Sequence, residues 1–225
     1  MKYQWILFDA DETLFHFDAF RGLQLMFSRH NVTFTPADFE CYETINRPLW
    51  VDYQNGKISA TELQNIRFKS WATTLSLSTE QLNHDFLMAM ADICTPLKGA
   101  KTLLEALKPQ VKLGIITNGF TALQEIRLQR TDFKKFFDVL IISEQVDVAK
   151  PDIRIFDYAC QKMNMTQRQD ILMVGDNPQS DILGGINAGM DTCWLNIDQK
   201  PQPEGINPTY TVSSLTELQT LLLSE

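Results

Sequence analysis

The chain has little of several things whose absence narrows what it can do. Only four of its 225 residues are cysteine, and Cys41, Cys94, Cys160 and Cys193 lie far apart with no C-x-x-C pair and no zinc spacing. Buried free thiols in a reducing compartment are expected, not a disulfide framework. Excess positive charge is missing too, since 20 Lys and Arg face 28 Asp and Glu for a formal net charge of −8. Attraction to nucleic acid or to an anionic membrane needs basic patches, so neither is an expected partner. No apolar stretch approaches the ~18 residues that a membrane span requires. The N-terminus carries one Lys and then a short strand-like run that ends in acid, unlike a signal peptide, and the expected location is the cytoplasm. Repeats and low-complexity segments are also lacking. Hydrophobic residues at 44% and charged residues at 21% argue against disorder and for one or two globular domains with a sizeable core.

Against that background one segment stands out. Residues 4–13 read Gln-Trp-Ile-Leu-Phe-Asp-Ala-Asp-Glu-Thr, an apolar run that stops on Asp9 and continues through Asp11 to Thr13. The run has the character of a buried strand, and carboxylates at its end have no packing role. Side chains two apart on an extended segment point the same way, so Asp9 and Asp11 would share a small volume and repel each other. A hard cation such as Mg2+ prefers carboxylate oxygens and water, which makes this strand end a candidate metal site. A plain acidic turn is the alternative that this segment alone leaves open.

Similar apolar runs follow at Val111–Ile116, Val139–Ile142 and Ile171–Val174, with a shorter one at Thr192–Leu195. Between them lie helical stripes, one of Ile155, Phe156, Ala159, Cys160 and Met163 entered through Pro151, another of Leu215, Leu218, Leu221 and Leu222 with Ser214 and Glu217 set as a capping box. Short buried strands alternating with helices predict a doubly wound α/β fold, a Rossmann-like parallel sheet covered on both faces. Residues 18–95 differ, because helix signals follow one another with no convincing strand. Thr35 with Pro36, Ser59 with Glu62, and Ser78 with Gln81 mark helix starts, and Leu82, Phe86, Met90 and Ile93 share one face. An inserted all-helical domain of four helices over 18–95 is expected, with residues 1–17 and 96–225 forming the core. Thr95-Pro96-Leu97-Lys98-Gly99 has the turn chemistry for one of the two crossings.

Ligands of an open α/β sheet bind outside the carboxyl ends of its strands, so the other strand ends test the first. The second strand runs into Thr117-Asn118-Gly119, which reads either as a hairpin turn or, with the helix-like stretch that follows, as a hydroxyl, an amide and a flexible backbone ahead of a helix, where an anion is favoured. The fourth runs into Gly175-Asp176 and then Asp181. Asp176 would complete a metal site with Asp9, whereas Asp181 reads equally as a helix cap. Gly184-Gly185 and Gly189 lack the strand-to-helix position of a nucleotide loop and read as helix packing and a C-cap. Lys150, before Pro151, reads alone as a solvated lysine ahead of a helix; as a basic residue beside a helix start on the loop side of the sheet in an acidic chain, it would alternatively neutralise a phosphate oxygen and damp repulsion among the aspartates.

In this order, Asp9-x-Asp11-x-Thr13, Thr117, Lys150-Pro151 and Gly175-Asp176 with Asp181 resemble the four motifs of the haloacid dehalogenase superfamily in its phosphatase branch. The helical insert resembles that family's type 1 cap. More narrowly, Phe-Asp-Ala-Asp-Glu-Thr-Leu-Phe, Thr-Pro-Leu-x-Gly and Ile-Ile-Thr-Asn-Gly-Phe are similar to a bacterial group of pyrimidine 5'-nucleotidases.

The resemblance implies a Mg2+-dependent phosphomonoesterase, with Mn2+ as a possible substitute, acting on a small phosphate monoester such as a nucleoside monophosphate. It implies Asp9 as nucleophile and Asp11 as general acid and base. Asp9 and Asp176 side chains and the Asp11 carbonyl would hold the metal, with Asp181 and Thr13 behind them. Thr117, Asn118 and Lys150 would hold the phosphate. Asp11 favours phosphate esters over halides, because a halide leaves without a proton. Phosphoglycolate or sugar-phosphate hydrolysis, a phosphomutase, and a non-catalytic nucleotide-binding module are the competing expectations. A monomer or weak homodimer is expected.

Overall fold

The computed structural model describes residues 2–224. The chain divides into two compact units. One takes in the residues up to His16, Thr95–Gly119 and Leu128 onward; the other takes in Phe17–Cys94 and Phe120–Arg127.

The first unit is built on six strands, β1 (Trp5–Phe8), β2 (Lys112–Thr117), β3 (Val139–Ile142), β4 (Ile171–Gly175), β5 (Asp191–Leu195) and β6 (Tyr210–Val212). They form one sheet in the order β3-β2-β1-β4-β5-β6, and every neighbouring pair is parallel. The first strand in sequence is thus central, with β2 on one side and β4 on the other. Its residues Trp5-Ile-Leu-Phe8 are all buried, which a continuous apolar run allows and an alternating one would not. The sixth strand, only three residues long, carries no apolar run of its own and was not anticipated.

The second unit contains α1 (Ala19–Arg29), α2 (Pro36–Gln54), α3 (Ala60–Ile66), α4 (Lys69–Leu75) and α5 (Thr79–Ile93). Five helices stand where four were expected. The start signals hold: Thr35 and Ser59 each form a reciprocal capping box, with Pro36 at the first turn of α2, and the Ser78 hydroxyl accepts from the Gln81 amide. Aromatic packing fills the interior. Phe27 stacks on Phe34 with ring centres 4.8 Å apart, and Trp71 tilts against Phe27 at 4.4 Å. Such pairs contribute about 0.5–1.5 kcal/mol each beyond the area they bury.

Phe120–Arg127 belongs to this helical unit, although the sequence placed it in the core. Its long-range partners explain why: the Phe120 ring lies 5.3 Å from that of Trp50, and the buried Arg67 guanidinium sits over it at 5.2 Å. Arg67 also donates to Asn83 and rests against Phe68 and Phe86. Ring faces offset part of the cost of burying that cation.

The remaining helices are α6 (Ala100–Leu107), α7 (Thr121–Arg130), α8 (Ser143–Val146), α9 (Ile153–Met163), α10 (Leu183–Asn187) and α11 (Leu215–Leu223). The predicted stripe of α9 is buried: Ile155, Phe156, Ala159, Cys160 and Met163 pack with Leu7, Ile116, Ile141 and Met173 of the sheet. Each large side chain in that layer contributes about 1.5–3 kcal/mol by leaving water. The cap of α11 differs in one detail. Ser214 accepts from the Glu217 amide as expected, but the Glu217 carboxylate accepts from the Ser213 amide and hydroxyl.

Candidate active site

Register places the chemistry. Phe8 pairs with Ile115 on β2 and Val174 on β4, so Asp9 leaves the sheet beside Gly175-Asp176, and the Asp9 amide donates to the Val174 carbonyl at 2.8 Å. Beyond Asp9 the chain turns sharply. Leu14 and Phe15 amides both donate to the Ala10 carbonyl, and Glu12 takes a left-handed conformation at φ 54°. The chain leaving this turn then lies against Thr95-Pro96-Leu97, with the His16 amide donating to the Thr95 carbonyl and the Leu97 amide to that of Leu14.

Lys150 organises the centre. Its side chain is 1% exposed, and its ammonium donates to Asp9 Oδ1 at 2.6 Å and to Asp181 Oδ1 at 2.7 Å. Burial would lower the Lys150 pKa, but Asp181 and Asp9 outweigh it and hold the amine above its usual range. Asn118 fixes where this lysine leaves the backbone. Its side-chain Nδ2 donates to the Lys150 carbonyl at 2.9 Å and its Oδ1 accepts from the Lys150 amide at 2.7 Å. The Asn118 side chain thus bonds both polar groups of the Lys150 main chain. Thr117 is buried at the end of β2, where its hydroxyl accepts from the Gly119 amide at 3.0 Å.

Asp181 is not a helix cap. Asn177 fills that role, its side chain accepting from the Gln179 and Ser180 amides. Asp181 is instead fully buried, and its Oδ2 accepts from the Asn177 amide at 3.0 Å while Ser180 Oγ donates to Oδ1 at 3.1 Å. Gly175 makes room for it, because a Cβ there would lie 2.2 Å from Asp181 Oδ2. The glycines of α10 have the packing role expected of them: a Cβ on Gly184 would meet Phe156 at 2.7 Å, and one on Gly185 would meet Thr192 at 2.7 Å.

One oxygen from each of Asp9, Asp176 and Asp181 lies within 4.8 Å of the others. Thr13 reaches Asp176 Oδ1 at 3.5 Å. Burial raises the Asp9 pKa to about 7 against the pull of Lys150, with the charges of Asp181 and Asp11 adding to the rise. Burial raises Asp176 to about 8, helped by repulsion from Asp9 and Asp181. Three carboxylates with a single ammonium among them form an acceptor-rich, hard-oxygen set whose repulsion a divalent cation would relieve, so the residues present fit Mg2+. Asp11 is half-buried on the turn after β1 and contributes its charge to this centre. Beside Asp176 opens a cavity of about 610 Å³ lined by charges of both signs, among them Glu12, Lys98 and Lys200.

Sequence reasoning missed Trp194. It lies on β5 in register with Gly175, and its indole Nε1 donates to the Asp176 carbonyl at 2.9 Å. Nothing local marks an aromatic residue in an apolar strand for that task; only the strand pairing does.

A family model described as haloacid dehalogenase-like hydrolase matches residues 3–189. The pyrimidine 5'-nucleotidase YjjG of Escherichia coli (strain K12) is 59% identical over 222 residues, which cover 99% of each chain. The pyrimidine 5'-nucleotidase PynA of Streptococcus pneumoniae is 33% identical, over 97% of this chain and 94% of its own. Among solved structures, the magnesium-bound putative HAD-hydrolase YfnB of Bacillus subtilis superposes with a TM-score of 0.83 at 32% identity, covering 98% of both chains. This chain, with aspartates that follow β1 and β4 and a sequence alike from end to end with these proteins, belongs to the haloacid dehalogenase-like hydrolase family.

Proposed function

We propose that this phosphomonoester hydrolase removes the phosphate from pyrimidine nucleoside 5'-monophosphates. The observation that carries the reading is the 59% identity, over essentially the whole chain, to a pyrimidine 5'-nucleotidase. The clustering of Asp9, Lys150 and Asp176 supports the chemistry.

Asp9 attacks phosphorus, forming a carboxylate–phosphorus bond as the bond to the 5'-oxygen breaks. Asp11 gives its proton to that leaving oxygen. It then takes one from water, whose oxygen attacks the same phosphorus and releases phosphate from Asp9. Lys150 stays protonated throughout, holds Asp9 in place and faces the negative charge that spreads over the phosphoryl oxygens. The Thr117 hydroxyl, ending β2, is assigned to a phosphate oxygen. Asp9 and Asp176, with the Asp11 carbonyl, would hold Mg2+, which when bound supplies positive charge to the phosphoryl group and favours the ionised form of both carboxylates. Substrate choice is assigned to the helical insert, since the residues above serve the phosphate alone.

The test is phosphate release from a panel of nucleotides, sugar phosphates and phosphoglycolate with Mg2+ present. Pyrimidine 5'-monophosphates should lead the panel, and Asp9→Asn should abolish turnover on all of them while the protein stays folded, as circular dichroism reads. Failure on every nucleotide removes the nucleotidase reading, and turnover by Asp9→Asn at the wild-type rate removes the mechanism.

A further inference from the structure

Asp176 has a positional problem that its own side chain does not solve. Asp9 and Asp181 repel it more than Lys150 and its own amide attract it, and the hydroxyl that reaches it, from Thr13, stands at 3.5 Å, beyond the 2.5–3.0 Å of a good O–H···O bond. Its main chain is better held. The Trp194 indole donates to the Asp176 carbonyl at 2.9 Å, and the same ring packs with Ile182 and Ile206, with Leu183 and Ile186 against the cluster. One rigid side chain, 3% exposed, thus fixes the segment after β4 at both ends: Asp176 by a hydrogen bond, and the start of α10 by contact. Indole offers one donor and no acceptor, so its orientation has a single polar solution here.

We propose that Trp194 is a positioning residue for the metal-binding carboxylate Asp176. The inference rests on the reading that Asp9 and Asp176 bind Mg2+, and it adds what keeps Asp176 in place for that purpose. Trp194 acts through the Asp176 main chain. Loss of the indole donor frees the Asp176 main chain to yield to the repulsion of its neighbours, and metal affinity falls. Groups that orient metal ligands typically change affinity about 10- to 100-fold when removed.

The experiment is calorimetric titration of Mg2+ into the wild type, Trp194→Phe and Ile206→Val. Trp194→Phe keeps a ring in the cluster and removes the donor, so its Mg2+ dissociation constant should rise about tenfold, while saturating Mg2+ restores most of the wild-type kcat. Ile206→Val loosens the packing and keeps the donor; its melting temperature should fall and its Mg2+ affinity stay within about twofold of wild type. Equal affinity in Trp194→Phe and wild type overturns the proposal, as does an equal loss in Ile206→Val, which would assign the effect to packing. If Trp194→Phe does not fold, the indole N–H resonances of the four tryptophans of the wild type decide. One of them should move in step with Mg2+ occupancy, and no movement overturns the proposal. Absence of Mg2+ binding by the wild type would sink the metal reading itself, a result distinct from all of these.

Discussion

Replacing Lys150 with Met removes one charge from a buried position and little volume, so the outcome isolates electrostatics. The ammonium makes bonds of 2.6 Å to Asp9 and 2.7 Å to Asp181, whose side chains are 12% and 1% exposed. Taking away one member of a buried ion pair leaves its partner uncompensated and costs about 3–5 kcal/mol. In a chain of this size each kcal/mol moves the melting temperature by about 2–4 °C, so a fall of about 6–20 °C is expected. The loss must also depend on pH. Asp9 already has a folded pKa of about 7, above its unfolded value, and without Lys150 the folded pKa rises further. A group of this sort contributes stability below its unfolded pKa that is lost as pH rises through the folded one. The melting temperature of Lys150→Met should therefore drop more, relative to wild type, at about pH 8 than at about pH 5.5. Thermal melts followed by circular dichroism without metal measure both quantities. A variant as stable as wild type at the higher pH, or an equal loss at both, would show that the buried triad is not what holds these carboxylates.

Other consequences follow from the same geometry. Raised folded pKa values of about 7 at Asp9 and about 8 at Asp176 mean that Mg2+ must displace protons, so affinity should increase between about pH 6 and pH 8 with net proton release, measurable by titration in buffers of different ionisation enthalpy. Affinity independent of pH in that window would contradict the shifts. Gly175→Ala should abolish activity and lower stability by about 2 kcal/mol or more, because its methyl would lie 2.2 Å from a carboxylate that Lys150 holds fast. Gly22→Ala meets Met90 Sδ at a nominal 2.1 Å, yet that atom ends a flexible chain and the helix gains about 1 kcal/mol in propensity, so near-neutral stability is expected. Parallel melts of the two variants test the contrast.

How much of this was legible beforehand depended on whether the signal was local. The runs ending at Asp9, Thr117 and Asp176 were readable because a central parallel strand must be apolar on both faces, so the first polar residues mark the edge where ligands bind. Helix starts at Thr35, Ser59 and Ser78 were readable because a cap is satisfied within three residues. What escaped was settled at long range. Asp181 looked as much like a cap as an acid with a partner, since Lys150 lies 31 residues away and Asn177, four residues earlier, took the capping role. Phe120–Arg127 joined the helical unit through Trp50 and Arg67, more than fifty residues earlier in the chain, which helical periodicity does not encode. The same reasoning explains why the acids stand out in the sequence and the residues that hold them do not. A carboxylate at a strand end has no packing use and therefore signals chemistry, whereas Asn118 and Trp194 have ordinary uses in a loop and a strand. Their task follows only from what the register sets beside them: the Lys150 main chain for one, and the Asp176 carbonyl for the other.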